Sequence, residues 1–140
     1  MTVATITTDI NIGPFKIPSN GQNMIMNNYA QRNNMIVELV IPEPMKSQAL
    51  ATVQWIHKER KLTKVILSSI HQLPIERDRI DELLNNMEDV EFHFALEGIR
   101  GKGKAFLIAV IKESEIFMKS QSIESTEMTW LDLHKTMKNS

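Results

Sequence analysis

The chain has 140 residues, 42% of them hydrophobic and 24% charged, which is ordinary globular usage and enough for one domain with its own core. It contains no cysteine, which excludes a disulfide framework and thiolate chemistry, and its net charge of −1 is unlike the clustered basic face of a nucleic-acid binder. No apolar stretch reaches the ~18 residues of a membrane span, and the first twenty residues lack the pattern of a secretion signal, so a cytoplasmic protein with no membrane contact is expected.

Residues 1 to 8 are rich in threonine and read as a frayed end. Asp9 to Gly13 reads as a short first strand, and Gly13-Pro14 and Pro18-Ser19-Asn20 mark a loop. Ser19 or Asn20 is placed to cap a helix running to about Asn33, with Ile25 and Tyr29 on one face. Met35 to Ile41 reads as a buried strand, ended by Pro42 and Pro44. A second helix is expected from about Met45 to Arg60, with Ala49, Val53 and Ile56 inward. Lys64 to Ser69 is a strong strand. Leu73-Pro74 opens a third helix, whose Ile80, Leu83, Leu84 and Met87 follow helical spacing. Val90 to Leu96 is the fourth strand.

The order βαβαβαβ argues a parallel sheet of four strands, five if a further segment joins, with helices on both faces. Arg100, Lys102 and Lys104 fall in a Gly-rich turn read as a solvated loop. A long helix follows from Gly103 to about Ser120. Its apolar residues form two adjacent stripes, Phe106, Val110 and Phe117 beside Leu107, Ile111 and Met118, more than one contact needs. Such a helix is either buried within the monomer or also packed against a second copy, and a homodimer is expected. A last short helix is expected over 127–138, all within a single domain.

Ligands of parallel α/β sheets sit beyond the carboxyl ends of the strands. The polar residues expected there are Lys16, Ser19, Gln22 and Asn23 after the first strand, Ser69, His71 and Gln72 after the third, and Glu97 after the fourth. They form either one crevice or a set of local caps and loop contacts. His57, His71, His93 and His134 are scattered without metal-ligand spacing, so no metal and no cofactor is expected. His93 alternates with Phe92 and Phe94 and reads as a structural histidine on the opposite face.

Three segments resemble the catalytic domain of the serine recombinases, the resolvases and invertases. Lys16-Ile17-Pro18-Ser19-Asn20-Gly21-Gln22-Asn23 is similar to that family's first motif, R-V-S-T-x-x-Q-N. Val65 to Leu73 is similar to its strand followed by L-D-R-L. Phe94 to Ile99, then Gly103 to Phe106 and the long helix, is similar to its last strand and dimerising helix. The resemblance spans about residues 9 to 122 and implies a resolvase-like fold. It also implies loss of the family's chemistry. That family attacks a DNA phosphate with a serine held among arginines, whose planar fork suits phosphate. Here Pro18 stands at the nucleophile's place and Lys16 at the first arginine's, His71 and Gln72 replace an Asp-Arg pair, and Ile75 falls where a further arginine would be. No strand cleavage is therefore expected, and the sequence ends without the helix-turn-helix region that reads DNA in that family.

A second resemblance is to the sporadic carbohydrate cluster proteins, found beside bacterial surface-sugar genes. It is carried by Pro14-Phe15, Ile17-Pro18, Gln22-Asn23, Gln72-Leu73-Pro74 and His93 to Gly98. Three functions follow in order of expectation. The first is a non-catalytic, pseudoenzyme-like module acting through protein contacts, as a homodimer or with another protein partner. The second is an enzyme or small-ligand binder in a bacterial surface-carbohydrate pathway. The third is a DNA recombination accessory.

Overall fold

The computed structural model describes residues 2–8, 17–43, 50–73, 77–117 and 119. Its elements in chain order are β1 (Val3–Thr8), α1 (Ser19–Arg32), β2 (Leu39–Glu43), α2 (Ala51–Glu59), β3 (Lys64–Leu67), a 3₁₀ turn at Ile70–Gln72, α3 (Arg77–Asn86), β4 (Glu91–Phe94), β5 (Ile99–Lys102) and a final helix, α4, over 104–117. The five strands form one sheet in the order β2-β1-β3-β4-β5. The first three pairings are parallel and the last is antiparallel.

The threonine-rich start is not frayed. Val3–Thr8 is a central strand whose six residues are all buried. Threonine is β-branched, so its χ1 is already restricted and it fits a pleated strand. A parallel strand covered on both faces has no polar side to advertise itself. The first strand expected at Asp9 to Gly13 lies outside the described residues, as does the short helix expected over 127–138.

Other boundaries also shift for physical reasons. β2 starts later than expected and runs through Pro42, which pairs in register with Thr7. It can do so because β2 is an edge strand, where a missing ladder donor is tolerated. On α1 the buried residues are Gln22, Met26, Tyr29 and Ala30, so Met26 takes the core position given to Ile25. Neither Ser19 nor Asn20 caps that helix. Its N-cap is Pro18, with no side-chain capping bond.

The segment read as a basic loop is β5. It is joined to β4 by a tight turn that ends at Gly98, whose φ of 68° favours glycine. Gly101 lies under the Phe106 ring, and a Cβ there would collide with it. This close approach, not chain flexibility, explains glycine within a strand.

Two apolar clusters hold the sheet. The larger packs Ala4, Ile6, Val65, Leu67, Phe92 and Phe94 against Val53 of α2, Leu83 and Leu84 of α3, and Leu107, Val110 and Ile111 of α4. The smaller packs Val3 and Ile66 against Met26, Tyr29 and Ala30 of α1. Among the described residues, one helix therefore covers one face of the sheet and three cover the other.

Candidate functional site

β1, β3 and β4 run in the same direction, so their carboxyl ends meet at one edge. Beyond its last strand residue, β4 keeps its bonds to β3: Ala95 N donates to Leu67 O at 2.9 Å and Leu96 N to Ser68 O at 2.8 Å. This carries Glu97 over the start of the 3₁₀ turn. One Glu97 oxygen accepts from Ser69 Oγ at 2.7 Å, and the other from Ile70 N at 3.0 Å. Ser69 Oγ also accepts from His71 N at 3.2 Å, capping the turn.

α4 closes the other side. Ser114 Oγ lies 2.8 Å from His71 Nδ1, and the Phe117 ring stacks on the His71 ring with centroids 4.8 Å apart. Between the turn and α4 is a groove of about 430 Å³ lined by Ser69, Ile70, His71, Leu96, Glu97, Glu113 and Phe117. Neither lysine nor arginine is among these residues.

Of the residues read from the sequence, Ser69, His71 and Glu97 lie together at this groove. The two glutamines expected in the crevice do something else. Gln22 is fully buried: its Nε2 donates to Thr8 O and Ile17 O, both at 2.8 Å, and its Oε1 accepts from Thr8 N at 2.9 Å. It ties the end of β1 to the entry of α1. Gln72 accepts from Ser68 N at 2.6 Å and Ser69 N at 3.2 Å, and donates to Ile6 O at 3.1 Å. It fastens the end of β3 to β1. Both amides have these backbone groups as partners and serve as struts of the fold, not as groove lining.

Ser19 is exposed at the first turn of α1, Asn23 is half-buried further along it, and neither lines the groove. Lys16 lies outside the described residues. The sequence reading missed Glu113 and Ser114. A signal for Ser114 is present: it lies seven residues after Leu107, four after Val110 and three after Ile111. A polar residue on an otherwise apolar helical stripe needs a buried partner, and His71 is that partner.

The α4 stripes divide differently from the expected dimer surface. Leu107, Val110 and Ile111 are buried in the chain's own core, and Phe106 packs against Phe94 and over Gly101. Phe117 turns to His71, and Met118 lies outside the described residues. These five residues face their own sheet and turn because the sheet needs a helix over β4 and β5. Among the described residues, the exposed large apolar side chains of α4 are Ile108 and Ile116.

A second polar cluster sits under α1. His93 is 1% exposed, its Nδ1 lies 2.8 Å from the Tyr29 hydroxyl, and its Nε2 lies 2.6 Å from Glu91 Oε1 without hydrogen-bond alignment. It does face away from Phe92 and Phe94, as its alternation implies. Burial pushes its pKa below the ordinary 6.5, against the pull of Glu91. Burial likewise raises the Tyr29 hydroxyl above its usual value, opposed by Arg100. Because the folded histidine resists protonation, the unfolded chain binds more protons just below pH 6.5. Stability from this site is therefore complete above that pH and falls as pH drops toward the folded pKa. The melting temperature of the wild type should decline more steeply between about pH 7 and pH 5 than that of His93→Gln. Parallel pH profiles would contradict the assignment.

No protein-family model matches the sequence, and no curated protein matches it. Solved structures do match. The N-terminal catalytic domain of TP901-1 integrase superposes with a TM-score of 0.57 at 14% identity, covering 89% of this chain and 99% of that one. A resolvase family site-specific recombinase from Streptococcus pneumoniae gives a TM-score of 0.59 at 14% identity, covering 96% and 99%. The resemblance to the sporadic carbohydrate cluster proteins finds no counterpart among these matches. Among the described residues, no helix is long and apolar enough to cross a membrane. At this identity the likeness is one of architecture, and the chain has the resolvase-like fold of the serine recombinase catalytic domains.

Proposed function

We propose that this chain is a recombinase-fold protein that does not cut DNA and acts through protein contacts, pairing with a second copy of itself along α4. The observation that carries the first half is Pro18. The resolvase-like motif places its attacking hydroxyl at this position, and here the residue is the N-cap of α1 with φ −64° and ψ 159°. A proline ring has no nucleophilic atom. The groove at the carboxyl ends of β3 and β4 agrees with this reading, because Glu97 and Glu113 line it and none of its described lining residues is the guanidinium group that phosphate chemistry needs.

The pairing is supported by Ile116, 66% exposed, and Ile108, 38% exposed, on one helix. Ile108 also borders a groove of about 410 Å³ between α3 and α4, floored by Ile80, Leu84 and Ile111 and rimmed by Asp81, Lys112 and Glu115. An apolar strip with charges of both signs at its rim has the composition of a contact surface.

Two measurements test the proposal. Incubation with labelled duplex DNA, followed by a denaturing gel, should show no covalent protein–DNA adduct. An adduct that disappears in Ser19→Ala would overturn the non-cutting reading. Light scattering after size exclusion should give a dimer at tens of micromolar, and Ile108→Glu with Ile116→Glu should weaken it at least about tenfold. A monomer at that concentration would overturn the pairing.

A further inference from the structure

We infer that the groove beside Glu97 is a binding site for a small organic cation, a primary ammonium or guanidinium on a short apolar body. The inference is independent of how the chain pairs with itself. Three features meet in the groove, and no one of them would suffice.

The first is a half-open groove of about 430 Å³ at the carboxyl ends of β3 and β4, within the size range of small-molecule sites and in the usual place for them on a parallel sheet. The second is an ordered carboxylate. Glu97 is held at both oxygens, by the buried Ser69 hydroxyl at 2.7 Å and by Ile70 N at 3.0 Å. A carboxylate has about four lone-pair sites, so these two bonds leave capacity for an incoming N–H donor. Because its rotamer is already fixed, a ligand need not bear the cost of ordering it.

The third is the wall. Leu96 stands 52% exposed next to Glu97, and the Phe117 ring, stacked on His71, forms the opposite side. An aromatic face attracts a cation, and an apolar wall shelters the body that carries it. Glu113 adds a second negative charge, and among the described residues no lysine or arginine lines the groove to neutralise either. An anion would meet two carboxylates. A neutral alcohol would use the hydrogen-bond capacity but not the charge.

The test is a calorimetric or NMR titration of the whole chain with phenethylammonium at low salt, with phenylacetate and 2-phenylethanol as the anionic and neutral counterparts. Phenethylammonium should bind saturably with Kd on the order of 1 mM or tighter. The alcohol should bind at least about tenfold more weakly, and the anion more weakly still. Glu113→Gln, an exposed change with no structural partner to lose among the described contacts, should cost about fivefold, and Glu97→Gln more. Phe117→Leu should weaken the cation more than the alcohol. Equal affinity for the three probes, no saturable binding of the cation, or wild-type affinity in both glutamine variants would overturn the inference.

Discussion

Gln72→Ala should lose about 3–5 kcal/mol of folding stability, read as a lower denaturant midpoint at unchanged slope. The side chain is 1% exposed and satisfies three backbone groups, Ile6 O in β1 and Ser68 N and Ser69 N just after β3. Alanine removes the partner and leaves those groups in a space that water must enter to reach them. Each buried donor or acceptor so abandoned costs about 1–3 kcal/mol, against a total stability of about 5–15 kcal/mol for a domain. Gln72→Glu should fail as well. It keeps an oxygen toward the two amides but turns another oxygen toward the Ile6 carbonyl, and it buries a charge. If Gln72 instead served a bound ligand and not the fold, Gln72→Ala would leave the midpoint where it is.

Phe94→Ala should cost about 3–5 kcal/mol in the same measurement. Phe94 is fully buried, its ring stacked on Phe92 and tilted against Phe106 with centroids 6.3 Å away in each case, at the point where the sheet meets the first turn of α4. Truncation removes the transfer energy of a ring and leaves a hole, and its neighbours have little room to collapse. The Phe106 ring also lies against Gly101. Leu96→Ala, two residues on but 52% exposed, should change stability by less than about 0.5 kcal/mol. A Phe94→Ala loss below about 1 kcal/mol would mean that α4 does not pack as described.

The alternation of strands and helices was legible because it rests on period. Leu83 and Leu84 of α3, Met87 just after it, and Phe92 and Phe94 of β4 are buried where their spacing puts them. β1 was illegible for the opposite reason. A strand buried on both faces shows no alternation, and its threonines read as polar until the sheet around them is known. β5 was hidden by Gly101 and its flanking charges, which mark a turn in isolation and a strand only when Phe106 covers the glycine.

At the candidate site, position in the topology was enough to bring Ser69, His71 and Glu97 to one place. The sequence could not tell a residue that lines a groove from one that braces the fold. Gln22 and Gln72 have the same chemistry as a ligand contact. Only the distances to Thr8, Ile17, Ile6, Ser68 and Ser69 show that their amides serve the backbone. The α4 stripes carried a similar ambiguity, since apolar periodicity says that a helix face is covered but not by which chain.

The placement of β1 bears on how the chain is made. Of the five strands it leaves the ribosome before the others, yet its partners are Leu39 to Glu43 on one side and Lys64 to Leu67 on the other. The middle of the sheet must therefore wait for its second neighbour until Leu67 has been synthesised. Vectorial folding from the amino end has no stable stopping point before β3 emerges. A nascent chain stalled before β3 should be protease-sensitive throughout, and one extended past α4 should resist.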